Sequence, residues 1–308
     1  MTGCSRRFVW GSRAGRRAGA LLNFNSPFNA HRSPLISVHL SGLFLYPVKS
    51  CGGIGVTEWE VDRFGLRYDR RWMVTTPHGQ FLTQREIPAL ATVRARIAPP
   101  HLRLTVPGLP ELVTALAPMG GRPIATKVWD DQVSVVAPDH KADDWFSLVV
   151  GQEVVLAYMP DEVVREVDPS YAPDGGRTGF ADGFPFLVIG QASLADLNAR
   201  LAAPLPMNRF RPNLVVTGSA PFAEDDWRYI KVGGIPMQVV KPCSRCVVTT
   251  TDQATGRRES DEPLRTLASF RRQDGKVMFG QNVVHYGSGS LRLGDAVTVE
   301  QSLPDIGA

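Results

Sequence analysis

From Leu43 onward the pattern of the chain is one of short apolar and β-branched runs set apart by turn residues. Leu43–Tyr46, Val56–Val61, Trp72–Thr75, Val93–Ile97, Leu102–Val106 and Gln132–Ala137 are separated by Gly, Pro and Asp turns such as Cys51-Gly52-Gly53 and Pro107-Gly108. So many strands at short spacing suggest a barrel or sandwich rather than repeated βαβ units. One helix closes the series. Asp139 is placed to cap it, Ala142, Trp145, Phe146 and Val149 recur at helical spacing, and Gly151 stops it.

The pattern divides the chain. Residues 41–159 read as a β-barrel-like domain. Residues 160–185, rich in Pro, Gly and Asp, read as a linker that partly forms a loop over a site. Residues 186–301 form a second domain and 302–308 a tail. The second domain opens with a buried strand, Phe186–Ile189. A helix follows with Leu194, Leu197 and Leu201 on one face, a capping-box-like start at Ser193 and Asp196, and an end at Pro204. Strands are expected at Leu214–Thr217, Met237–Val240 and Val247–Thr250, and a helix around Leu264–Phe270. Leu291–Leu293, the Gly294-Asp295 turn and Val297–Val299 read as a hairpin. The expected class is mainly β with some α: a barrel-like domain, then a β-barrel-type domain with a few helices.

With 308 residues, 43% of them hydrophobic, the chain can build two cores. Its net charge of +4 is misleading as a sign of nucleic-acid binding. Residues 1–40 hold six Arg and no acid, and taking those six charges away leaves −2 on the body. That leader has the composition of an organellar transit peptide, but it also looks like what a start codon placed too far upstream would append to a bacterial protein, and this plainer reading is preferred. We therefore expect a bacterial cytoplasmic protein, with organellar targeting as the alternative. No apolar run approaches the roughly 20 residues of a spanning helix. Four unevenly spaced cysteines make no disulfide framework and favour a reducing compartment.

The chemistry concentrates in Lys241–Asp252, KPCSRCVVTTTD, where Cys243 and Cys246 precede a β-branched run and so sit at the mouth of an expected strand. Their spacing alone leaves four readings open: a structural pair, half a zinc site, a redox dithiol, or a single thiolate bound to a metal. No second C-x-x-C, paired His or H-E-x-x-H accompanies them.

Four segments taken together, YPVKSCGG (Tyr46–Gly53), YDRRW (Tyr68–Trp72), RFRPNLVVTG (Arg209–Gly218) and KPCSRCVVTTTDQATG (Lys241–Gly256), resemble the MOSC family with its N-terminal β-barrel domain over about residues 41–300. Within it they are most similar to bacterial relatives of the mitochondrial amidoxime-reducing component. The resemblance implies a molybdenum cofactor, a phosphate-bearing pterin dithiolene, with Cys246 as the protein's metal ligand and catalytic residue. It implies that Lys49, Ser50 and Arg70 supply cations and donors to the cofactor, and that Arg211 and Asn213 contact it, Asn213 through a pterin edge. Arg71 and Arg85 are weaker candidates, and Cys51 and Cys243 fit packing roles. Pyridoxal phosphate binding attaches to the family only in general terms.

The activity implied is reduction of a small N-hydroxylated compound, N–OH to N–H plus water. No C-x₄-C-x₂-C run follows Val299, so a separate donor protein of ferredoxin, flavoprotein or cytochrome type is expected to bring the electrons. The alternatives are a carrier that holds cofactor or sulfur without turnover, and a zinc-stabilised interaction protein. There is no G-x-G-x-x-G, P-loop or G-x-S-x-G.

Overall fold

The computed structural model describes residues 37–302 apart from 174, so the leader before residue 37 and the tail after residue 302 lie outside the described residues, while His39 and Leu40, placed in the leader, begin the strand His39–Leu45. Among those residues the protein is mainly β, with nineteen strands and three α-helices: α1 (His140–Val150), α2 (Gln191–Ala199) and α3 (Leu264–Phe270). They fall within one compact unit. No helix among them is long and apolar enough to cross a membrane.

The largest sheet runs, edge to edge, through Val297–Glu300, Tyr229–Val232, Ile235–Ser244, Lys276–His285, Phe186–Gly190, Leu214–Thr217, His39–Leu45 and Ile54–Val56. All pairings are antiparallel except that of Phe186–Gly190 with Leu214–Thr217, which α2 connects. Phe186–Gly190 is buried on both faces, as a continuous apolar run in mid-sheet should be. Phe186 and Val188 face one core with Leu43, Leu214 and Met237; Leu187 and Ile189 face a second with Phe210, Leu267 and Phe279, beneath α2 and α3. Smaller open sheets, one of them Trp72–Thr75, Val155–Tyr158, Asp131–Ala137 and Arg122–Val128, complete the barrel-like part. Among the described residues, none of the sheets closes on itself.

Helix α1 forms as its sequence dictates. The Asp139 carboxylate accepts from Lys141 N, and Gly151 takes the left-handed conformation at its end.

Three expectations fail. Val247–Thr250 is not a strand but a 3₁₀ turn, because the Thr249 and Thr250 hydroxyls donate to the carbonyls of Cys246 and Val247 three residues back and draw the backbone out of extension. Ser193 lies inside α2, where its hydroxyl donates to buried Glu224 instead of capping. The C-terminal strands are not a hairpin: Gly289–Arg292 pairs with Glu58–Asp62, whereas Val297–Glu300 pairs with Tyr229–Val232 in the large sheet.

Candidate functional site

Strand His39–Leu45 leaves the large sheet where its antiparallel neighbour Leu214–Thr217 enters, with Leu43 opposite Leu214. Phe186–Gly190 runs parallel to that neighbour and starts at the same end. The segments bordering these strands, Tyr46–Ser50, Arg211–Asn213 and Phe180–Pro185, are therefore delivered side by side. The thiols arrive from strand Ile235–Ser244, whose pairing slips between Val239 and Lys241 and again between Pro242 and Ser244. Such bulges bend a strand and re-aim the residues beyond them. The result is one cleft whose lining includes Lys49, Ser50, Arg70, Arg211, Asn213 and Cys246. Cys243 and Arg85 also border it, whereas Arg71 does not. Arg71 is buried and commits its guanidinium to the Met159 carbonyl and Asp161, a structural use.

Three of these residues hold a backbone conformation that L-residues avoid: Ser50, Arg70 and Arg211 have φ of 67°, 47° and 57°. Strain of about 1–3 kcal/mol per residue persists only where the surroundings enforce it, and it concentrates at functional sites. Here Tyr46 is a common support. The guanidiniums of Arg70 and Arg211 lie over its ring at 4.4 and 4.3 Å, and its hydroxyl donates to Pro212 O at 3.0 Å. Burial pushes the phenol up to about 12.

The cations differ in how they are balanced. Lys49 is buried and donates to Phe180 O at 2.8 Å and to the Asp182 carboxylate at 2.5 Å. Burial lowers the ammonium by more than Asp182 raises it. Arg70 pairs with Asp69, and Arg85 lies 3.8 Å from Asp182. Arg211 donates to Cys51 O at 2.6 Å, and burial brings its guanidinium down to about 10. Arg245 donates to Cys243 Sγ at 2.9 Å and to Phe210 O, while its Nε is buried without a partner. Among the described residues, Arg70 has Asp69 as its ion-pair partner and Lys49 and Arg85 share Asp182, whereas Arg211 and Arg245 have neutral partners only. The cleft thus keeps positive charge available for an anion.

Asn213 is buried and fully committed. Its Oδ1 accepts from Arg70 at 2.9 Å and Leu187 N at 3.3 Å; its Nδ2 donates to Phe44 O at 3.1 Å and Asp69 at 3.2 Å. The amide therefore orients Arg70 and leaves no edge free for a pterin.

Cys246 follows the bulged strand and is partly exposed, with a free thiol. Arg209 fixes its loop by donating to Thr250 O at 2.8 Å and Asp252 at 2.9 Å. Among the described residues, no group of three or more His, Cys, Asp or Glu side chains is placed to hold a metal ion. A zinc site built from Cys243 and Cys246 lacks its remaining ligands. A metal on Cys246 would have to bring other donors with it, and a dithiolene cofactor with an anionic phosphate suits one thiolate beside surplus guanidinium charge.

Sequence reasoning missed three residues at or behind the cleft. Arg245 carries a signal in hindsight, since it lies between the two motif cysteines. Asp182 and Arg165 fall in the irregular stretch before Pro185 and carry none.

Comparison with known proteins gives two family matches: residues 37–153 match the MOSC N-terminal beta barrel domain and residues 175–298 the MOSC domain. The chain is 32% identical to mitochondrial amidoxime reducing component 2 of Bos taurus, over 84% of this chain and 82% of that protein. It is 31% identical to mitochondrial amidoxime-reducing component 1 of Mus musculus, over 83% and 80%. It is likewise 31% identical to molybdenum cofactor sulfurase of Oryza sativa subsp. japonica, over 85% of this chain but only 35% of that longer protein.

Proposed function

The chain belongs to the MOSC family, and from that premise we propose that it holds a molybdenum cofactor in this cleft and reduces N-hydroxylated compounds, consuming two electrons and two protons per N–OH and releasing water. The observation that carries the reading is the meeting of the Cys246 thiol with the charge of Arg211 and Arg245 in one cleft. Its relatives in cattle and mice, named for amidoxime reduction, support the substrate class.

When bound, the cofactor supplies two-electron chemistry at its metal. The chain's own residues do the rest. Cys246 gives one thiolate ligand, kept deprotonated by coordination. Arg211 and Arg245 would attract the cofactor's anionic end, while Asn213 and Asp69 hold Arg70 at the cleft lining. The wall Phe180–Phe184 limits water on one side. Electrons come from a separate donor protein.

The test is protein purified from a host that makes the cofactor, analysed for bound molybdenum and assayed with an amidoxime and a chemical reductant. Stoichiometric molybdenum and turnover are expected, and both should be lost in Cys246→Ser. A Cys246→Ser variant that keeps its molybdenum and activity would refute the ligand role. A second reading, a carrier that holds cofactor or sulfur without turnover, draws on the likeness to the rice sulfurase. A persulfide on Cys246, seen as added sulfur by mass spectrometry without turnover, would favour it.

A further inference from the structure

Four successive carbonyls in the cleft wall, those of Gly179, Phe180, Ala181 and Asp182, each accept a hydrogen bond from a buried cation. Lys49 takes Phe180 O at 2.8 Å. Arg165 takes the other three: Gly179 O at 2.9 Å and Ala181 O at 2.5 Å through one nitrogen, and Asp182 O at 3.2 Å through another. Its remaining nitrogen, Nε, donates to Asp131 at 2.8 Å, at the start of strand Asp131–Ala137. Arg165 is 4% exposed.

Among the described residues the segment has no strand partner to satisfy these carbonyls, and buried backbone groups must be paired. Arg165 therefore replaces a sheet neighbour, and its rigid fork can reach three acceptors where an ammonium would bond only as a point charge. The wall separates two spaces. On one side is the cleft with Cys246; on the other is a groove lined by Trp129, Asp131, Arg165 and Lys241, and Asp182, Gly183 and Phe184 border both. Lys49 pulls on the wall from the cleft side and Arg165 from the groove side. The position of Asp182, which faces Lys49 and Arg85, is set by the balance.

We propose that Arg165 is a positioning residue: it touches no reacting group but fixes the wall Gly179–Asp182, and so the width of the cleft that admits the substrate. The part of this inference that concerns substrate rests on the function proposed above. A wall out of place weakens substrate binding while leaving the Cys246 loop, which Arg209 holds separately, undisturbed.

The experiment compares wild type with Arg165→Ala, Arg165→Lys and Asp131→Asn, the last removing the anchor's charge while keeping an acceptor oxygen, on a half-exposed side and so sparing the fold. Hydrogen exchange is followed at residues 179–184 and at strand Val155–Tyr158, and steady-state kinetics are measured with an amidoxime on the molybdenum-loaded enzyme. Expected are exchange at least about tenfold faster in the wall alone and KM raised about tenfold with kcat within about threefold, in the order Ala > Lys > Asn. Wall exchange equal to wild type in all three variants overturns the proposal, as does a loss confined to kcat. If wild type and variants alike fail to turn over while the wall exchanges faster in Arg165→Ala, the reductase reading has failed and the positioning role stands.

Discussion

The Lys49 ammonium and the Asp182 carboxylate meet at 2.5 Å across the rim of the cleft, yet one side chain is 6% exposed and the other 63%. The burial cost therefore falls on the lysine. Burial alone would raise the Asp182 carboxyl, but attraction to Lys49, its hydrogen bond and the nearby Arg85 overcome that and hold it well below the usual carboxylate range.

That asymmetry has a sign in pH. An acid whose value is depressed on folding adds stability above its unfolded value, near 3.9, and loses it as pH falls through the folded value. Wild type should thus exceed Asp182→Asn in melting temperature by a constant margin from pH 7 to 5, and the margin should shrink below about pH 4. With Asp182 largely in water, the neutral-pH loss is about 1–2 kcal/mol, between that of a surface pair and a buried one. A margin that grows on acidification would contradict the pairing.

Gly179 packs on the backbone of the YDRRW segment. A Cβ there would lie 2.6 Å from Arg70 O and 3.1 Å from Asp69 O, and backbone cannot swing away as a side-chain tip can. Phe180 N also donates to Arg70 O. Gly179→Ala should cost about 1–3 kcal/mol in denaturant melts, the usual penalty of overpacking, and should push the wall off Arg70. An unchanged midpoint would mean that the two segments are looser than they stand here.

Much of this was legible in the sequence because local chemistry agreed with tertiary structure. Asp139 and Gly151 bound α1 where propensity puts them, and Leu214–Thr217 is a strand with the expected ends. The motif residues Lys49, Ser50, Arg70, Arg211, Asn213 and Cys246 border one cleft. Pattern failed where side chains compete with the backbone. Thr249 and Thr250 look like strand formers but bond locally, and Ser193 looks like a cap but serves Glu224 some thirty residues away. It was silent on Arg165 and Asp182, because cation-to-carbonyl bonds leave no periodicity to read.

The three cysteines among the described residues differ in reach. Cys51 is fully buried, and burial pushes its thiol up to about 12, with Arg211 only partly offsetting it. Since the thiolate is the nucleophile, Cys51 should resist iodoacetamide at pH 8 in the native protein and react once unfolded. Cys246, partly exposed in the cleft, should label in the native state and be protected when the cofactor is loaded. Peptide mass spectrometry reads both sites, and native labelling of Cys51 would refute the burial argument.

Asn213 gives the sharpest test of how Arg70 is held. Removing its amide leaves Arg70, Leu187 N, Phe44 O and Asp69 each short of a bond in a buried place, and Asn213→Ala should cost about 2–4 kcal/mol. Asn213→Asp nearly preserves shape but sets a second carboxylate where the amide now donates to Asp69 at 3.2 Å. Burial already raises Asp69 despite Arg70, so two carboxyls there favour sharing a proton. A carboxyl raised on folding lends stability below its unfolded value and loses it as pH rises. Asn213→Asp should therefore be more damaging at pH 8 than at pH 5, whereas Asn213→Ala should be nearly indifferent to pH over that range. Melting curves of both variants at the two pH values decide it, and equal losses for Asn213→Asp at both would show that Asp69 and residue 213 do not interact.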